Sequence, residues 1–287
     1  MRILVTGAGG QLGYELGRAL AAHDVLAPSR ADLDVADAGS VARALADAGP
    51  DVVIHAAAWT DVDGCERDPG RARAVNTYGT RNVARARGSA FLVAISTDYV
   101  FDGRAGRPYV ETDEPNPIQV YGATKLDAER EITAAAGSFA ILRTAWLYGA
   151  RRGDGTLARN FVTSILSAAR TGPLDVVRDQ IGSPTSCAAM ASAVAAVIER
   201  RAEGVLHAVD PGIVSRFELA RAAVGLAGLD PALVRPVETE GAPALPAARP
   251  TYAPLDGHAW RAAALPELPP FREALEAAMP AILETMA

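Results

Sequence analysis

The amino-acid sequence predicts an α/β protein: a Rossmann-like doubly wound parallel sheet carrying a smaller, mostly C-terminal α/β substrate lobe. Three observations predict it. Short β-branched runs alternate with helical stretches through the first half, which implies a parallel sheet covered on both faces. A glycine-rich loop, "TGAGGQLG" (6–13), joins the first such run to the first helical stretch. The second half loses this regularity and holds a Pro-, Gly- and Ala-rich tract, 236–254, that reads as surface loop.

The elements follow in order. "RILVT" (2–6) reads as a buried strand, "QLGYELGRALAA" (11–22) as an amphipathic helix and "DVLAP" (24–28) as a second strand. A helix over 39–48, a strand in "DVVIHAAA" (51–58), a helix over 70–87 and the strand "AFLVAIST" (90–97) continue the pattern. A helix over 118–135 and the strand "SFAILRT" (138–144) close it. Beyond them, helices are expected at 157–170, 186–200, 215–227 and 271–286, with short strands near 174–177 and 205–209. We therefore divide the chain into a dinucleotide-binding domain, 1–145, and a substrate lobe, 146–287, with some segments returning to the first.

Bulk composition narrows the function. Of 287 residues 49% are apolar and 22% charged, enough to bury a sizeable core. The 28 basic against 34 acidic residues give a net charge of -6, which offers no field for nucleic acid or an anionic membrane. Arg67, Arg71, Arg73, Arg81, Arg85 and Arg87 recur at helical spacing and read as a solvated face. Cys65 and Cys187 are too few for a disulfide framework and suit a reducing compartment. "MRILVTGAGG" has neither a cleavage signal nor a long apolar segment, so a cytoplasmic protein is expected, as a monomer or homodimer.

The loop places Gly7, Gly10 and Gly13 between strand and helix, with Gln11 and Leu12 opening the helix. Glycine lets the backbone approach a pyrophosphate, and a helix N-terminus presents free N–H groups to it. The second strand then leads to "APSRADLDV", where a carboxylate would favour NADH and an arginine a 2′-phosphate. Ser29 and Arg30 come first, with Asp34 and Val35 nearer the adenine. The order favours NADPH, with NADH as the alternative.

Chemistry enters at the end of the fourth strand, "AISTDYVFDG" (94–103), where Ser96 or Thr97 emerges at the carboxyl edge. Tyr121 and Lys125, in "YGATK", share one helix face. A phenol titrates near 10, and a neighbouring ammonium lowers it. A threonine hydroxyl can hold the substrate oxygen where negative charge develops. These are the parts that carbonyl reduction calls for.

At these residues the chain resembles the extended short-chain dehydrogenases and, within them, the dTDP-4-dehydrorhamnose reductase family. The likeness rests on "GAGGQLG", "HAAAWTDVDGCE", "VNTYGTRNVA", "STDYVFDG", "NPIQVYGATKLDAE", "RTAWLYG", "NFV", "DQIGSPT" and "RPTYAPLD", in that order. It implies that Thr97, Tyr121 and Lys125 are the catalytic trio, with Lys125 also on the nicotinamide ribose. It implies that Ala56, Ala57 and Ala58 pass along the cofactor and that Asn76 supports the lysine through water. Thr60, Asp98, Tyr99 and Val100 fall near nicotinamide or substrate, and Trp146 against the sugar. The implied activity is NAD(P)H-dependent reduction of the C4 ketone of a dTDP-linked 4-keto-6-deoxyhexose, dTDP-4-dehydro-L-rhamnose to dTDP-L-rhamnose.

Departures from the pattern matter. Some members hold magnesium on glutamates at a dimer contact; Glu15 matches one, but Ala188 replaces the other, so no metal is expected. Ala145, Gln119 and Ala128 replace serine, asparagine and glycine near the substrate side, which leaves another deoxysugar as an alternative substrate. A dehydratase would place two acids after the threonine, whereas "TDY" has Tyr99 at the second position. An epimerase would normally have a longer substrate region, and a non-catalytic cofactor-binding regulatory subunit would not need the trio. Trp59, Trp260, His55 and Cys65 read as packing residues, and "GSPT" (182–185) as a turn.

Overall fold

A computed structural model describes residues 1–287. Six strands form one sheet: β1 (Arg2–Thr6), β2 (Asp24–Leu26), β3 (Val52–His55), β4 (Phe91–Thr97), β5 (Phe139–Thr144) and β6 (Gly204–His207). Their spatial order is β6-β5-β4-β3-β1-β2, and every pairing is parallel. Chain direction across the sheet reverses beside β1, so a crevice opens beyond the carboxyl ends of β1 and β3.

Eight longer helices surround the strands: α1 (Gln11–Ala19), α2 (Ala38–Ala48), α3 (Gly79–Ala86), α4 (Val120–Ala134), α5 (Phe161–Ala169), α6 (Cys187–Arg200), α7 (Arg216–Leu226) and α8 (Phe271–Met286). Side chains alternate across a strand, and β1 shows the consequence. Ile3 and Val5 pack with Leu16 of α1 and Val194 of α6, while Leu4 packs with Val41 of α2, Val83 of α3 and Ile132 of α4. Burying each such side chain stabilises the fold by about 1.5–3 kcal/mol. A separate cluster holds α5, α7 and α8 together through Leu166, Leu219, Val224, Leu275 and Ile282. Two strands, Leu174–Val177 and Val234–Val237, pair in parallel at its margin.

Several sequence boundaries move, for physical reasons. The second strand stops at Leu26, two residues before Pro28, which has no N–H for a ladder. The helix expected from 157 starts at Phe161, where Asn160 makes a capping box with Thr163. The tract 236–254 begins inside the strand Val234–Val237, and Tyr252 bridges Ile181. The helix expected over 70–87 contains a π segment, Arg73–Tyr78. Arg87 is buried beneath its end, donating to the Ala90, Ala136 and Ser138 carbonyls, so it is no part of a solvated face. Short helices at Val62–Arg67 and His258–Ala262 had no periodicity long enough to predict them.

Candidate active site

A cavity of about 760 Å³ opens beyond the carboxyl ends of β1, β3 and β4. All the site residues singled out from sequence line it except Asn76 and Val100. Val100 is fully buried with Phe101, Tyr109, Leu126 and Leu255 in a small apolar cluster, so the expectation that it meets substrate is corrected. Asn76, in the π segment, accepts from Trp59 N (2.8 Å) and donates to the Trp59 carbonyl (3.2 Å) and Thr124 Oγ1 (3.1 Å). Its amide is spent on holding the Ala56–Trp59 strip and α4 together, away from the cavity wall.

One end of the cavity is mostly backbone. Gly7 has φ +77, and a Cβ there would lie 2.6 Å from Ala57 N. A Cβ at Gly13 would run into the Ala8 carbonyl. Helix α1 starts at Gly10 without a side-chain cap and without acidic residues in its first turn. By contrast Asp37, Gln119, Asn160, Ser186 and Ser215 cap α2, α4, α5, α6 and α7. The free N–H groups of α1 therefore face the cavity, a cradle that fits a dinucleotide pyrophosphate. Beneath it His55 is clamped between Thr6 Oγ1 (2.7 Å) and Thr80 Oγ1 (2.9 Å), and burial pushes its pKa down to about 3. Arg30 stands exposed at the far edge, 3.8 Å from Asp34.

The middle of the cavity holds the trio. Thr97 ends β4; its Oγ1 accepts from Tyr99 N (3.2 Å) and lies 3.0 Å from Asp98 Oδ1. Gln119 accepts from Gly122 N (2.8 Å) and Glu66 from Val120 N (3.0 Å), which fixes the start of α4 and hence Tyr121. Lys125 Nζ donates to the Ile95 carbonyl (2.7 Å), and burial lowers its pKa to about 8 despite Glu129 nearby. The expectation that this ammonium lowers the phenol is corrected. Burial, then the neighbouring Asp98 and Cys65, push Tyr121 up, and the nearby Thr97 hydroxyl pulls it back only in part. With Lys125 turned to a backbone carbonyl, Tyr121 keeps its proton at neutral pH, as a proton donor must.

The other end is built from side chains. Trp146 has φ +47, a conformation unusual for a bulky residue, and its ring fills the place a Cβ on Gly182 would take, 2.6 Å away. Arg216, at the first turn of α7, lies 3.7 Å over the Trp146 ring and 4.7 Å over Phe161. Arg216 and Arg249 are the nearby cations that pull the buried Tyr99 phenol down against the larger effect of burial, and Arg249 is anchored on Asp63 at 2.9 and 3.0 Å. No role for Arg216 or Arg249 is legible in the sequence. Arg249 lies within "RPTYAPLD", while nothing local marks Arg216 beyond the Ser215 cap before it.

Comparison with known proteins agrees with this architecture. The family model described as "RmlD substrate binding domain" matches residues 1–283. The chain belongs to this family. A dTDP-4-dehydrorhamnose reductase of Mycolicibacterium smegmatis is 42% identical, over 98% of this chain and 86% of that protein. A probable dTDP-4,6-dihydroxy-2-methyloxan-3-one 4-ketoreductase of Streptomyces antibioticus is 41% identical, over 99% of this chain and 96% of that one. The crystal structure of dTDP-4-dehydrorhamnose reductase from Bacillus anthracis in complex with NADP superposes with a TM-score of 0.90 at 34% identity, covering 96% and 98% of the two chains.

Proposed function

We infer that this chain is an NADPH-dependent reductase of the C4 ketone of a dTDP-linked 4-keto-6-deoxyhexose, turning dTDP-4-dehydro-L-rhamnose into dTDP-L-rhamnose. The observation that carries the reading is the junction of an uncapped α1, the trio Thr97, Tyr121 and Lys125, and Trp146 under Arg216 in one cavity. NADPH, when bound, supplies the hydride. The α1 N–H groups hold its pyrophosphate, Arg30 its 2′-phosphate, and Lys125 its nicotinamide ribose. Tyr121 Oη gives its proton to the oxygen at C4 as negative charge develops there, and the Thr97 hydroxyl orients that oxygen. Trp146 lies against the sugar. We assign 1–145 to the dinucleotide and 146–287 to the sugar, with α6 and β6 returning to the first sheet.

A different dTDP-4-keto sugar is the second reading, favoured by the resemblance to the Streptomyces antibioticus protein and by Ala145 on the cavity wall. No helix is long and apolar enough to cross a membrane. Cys65 and Cys187 are free and buried, which fits a reducing compartment, and we propose a cytoplasmic enzyme, a monomer or homodimer. Mixing the protein with NADPH and each dTDP-4-keto-6-deoxyhexose, while following absorbance of the reduced nicotinamide, tests the reading. Oxidation is expected, with kcat about 10²–10⁴-fold lower in Tyr121→Phe. No oxidation with either C5 epimer, or full activity in Tyr121→Phe, would overturn it, and NMR of the product separates the two sugars.

A further inference from the structure

Asp98 is the one carboxyl on the cavity wall at the trio, and ketone reduction as described gives it no task. It is 2% exposed, in the turn Asp98–Val100 that leaves β4. Its Oδ1 meets Thr97 Oγ1 at 3.0 Å, while Oδ2 is enclosed and has no partner. An ionised carboxyl is costly to keep there. Burial pushes it up to about 7, against the hydrogen bond from Thr97 and the charge of Arg216. The charged or titratable groups around it are Tyr99 on its own turn, Tyr121 on α4 and Arg216 on α7. Lys125 points to the Ile95 carbonyl, and Arg249 reaches only as far as Tyr99.

The direction of the hydrogen bonds then depends on one proton. A threonine hydroxyl has one donor and two acceptor lone pairs. The Tyr99 N–H takes one lone pair of Thr97, and the Thr97 proton lies toward Asp98. When Asp98 is ionised it can only accept, so the Thr97 proton points at Asp98, away from the cavity. When Asp98 is protonated it donates to Thr97 instead. Both lone pairs of Thr97 are then filled by Asp98 and Tyr99, and its proton is left to turn to the cavity that Thr97 lines.

We propose that Asp98 is a positioning residue whose protonated form turns the Thr97 hydroxyl toward the reacting oxygen. The proposal rests on the ketone-reductase reading. The ionised form is the unproductive one, so activity is present below the titration of Asp98 and lost as pH rises through it.

The test compares wild type, Asp98→Asn and Asp98→Ala. An asparagine amide donates to Thr97 at every pH, so Asp98→Asn recovers most of the roughly 10²-fold loss expected for Asp98→Ala, the cost of one oriented donor. On the alkaline side, log kcat of wild type approaches a two-proton slope, from Asp98 near about 7 and Lys125 near about 8. Asp98→Asn keeps a one-proton slope and exceeds wild type about tenfold one pH unit above the Asp98 titration. Thr97→Val, which cannot accept from Asp98, must also show a one-proton slope in its residual activity, so the idea stays testable should Asp98→Asn fold poorly. Infrared difference spectra of wild type against Asp98→Asn, taken without ligands, should contain a protonated-carboxyl stretch that vanishes as pH rises through neutrality. An Asp98→Asn protein that binds NADPH and melts like wild type yet is as slow as Asp98→Ala overturns the proposal. So does a two-proton slope in either Asp98→Asn or Thr97→Val, or the absence of that stretch. A wild type that oxidises no NADPH with any of the sugars counts instead against the reductase reading, and the infrared titration still decides the state of Asp98.

Discussion

The two ends of the cavity are made of different material. At the cofactor end the walls are main chain: the loop around Gly7, the uncapped start of α1 and the strip Ala56–Ala58. At the sugar end they are side chains delivered by Tyr99, Trp146, Phe161 and Arg216, with Arg249 behind them. A main-chain wall tolerates almost no added atom, because neither partner can rotate away. A side-chain wall can repack, so it is the end at which substrate preference can change while the chemistry stays.

Gly7→Ala is the sharpest way to break this contrast. It adds a methyl 2.6 Å from Ala57 N at a left-handed φ, a strain of about 3 kcal/mol that corresponds to about 10²-fold weaker NADPH binding. A fluorescence titration of NADPH checks it, and a change under threefold would mean that the cradle is softer than a main-chain wall should be. Arg216→Ala is the counterpart at the sugar end. Losing the stacks on Trp146 and Phe161 costs about 2 kcal/mol, read as a KM for the keto sugar raised about 30-fold, with NADPH affinity unchanged. A loss of NADPH affinity in Arg216→Ala would show that the two ends are not separable.

The same division explains what could be read from sequence. The glycine loop, β1 and α1 are contiguous, so spacing alone located the cradle. Tyr121 and Lys125 were legible because one helix face joins them. Arg216 and Trp146 meet only because α7 packs back onto the cavity, a tertiary fact with no local signature. Asn76 was assigned to the lysine, but a π segment turns it toward the Trp59 backbone, and no propensity signals such a segment. Val100 failed for the opposite reason: it is adjacent to Tyr99 in sequence, yet the tight turn after β4 sends it into the apolar cluster below.

Acid should act through the sheet that carries the cofactor end. His55 on β3 and His207 on β6 are buried and held down to about 3 and about 4, with burial the leading cause in both. A histidine depressed in the folded state contributes stability that is full above its unfolded pKa, near 6.5, and is lost as pH falls through the interval to the folded value. Asp98 and Asp210, pushed up to about 7 by burial, gain stability over the same fall in pH, so the pair's own cost, about 2.5 kcal/mol by about pH 5.5, shows as an acid sensitivity relative to a variant lacking one histidine, at about 2–4 °C in Tm per kcal/mol. His55→Gln, which can keep both threonine hydrogen bonds, should lose about half of that acid sensitivity. A Tm difference between His55→Gln and wild type that stays constant from about pH 7 to about pH 5.5 would contradict the burial argument.

Arg30 is where the contrast is weakest, since it is a side chain at the main-chain end. Its guanidinium is 73% exposed and has only Asp34, at 3.8 Å, as an ionic partner. Such a pair is worth little in water, so Arg30→Ala should leave Tm unchanged. Toward a 2′-phosphate the same cation should contribute about tenfold in affinity, and NADH, lacking that group, should bind equally to wild type and variant. Because the charge is exposed, the NADPH preference should shrink as salt shortens the screening length below about 8 Å. The cradle contribution from the α1 N–H groups, made at hydrogen-bond distance, should persist in the same salt series. Equal losses for NADPH and NADH in Arg30→Ala would move the recognition of the 2′-phosphate off the side chain and onto the main chain, making the cofactor end main chain throughout.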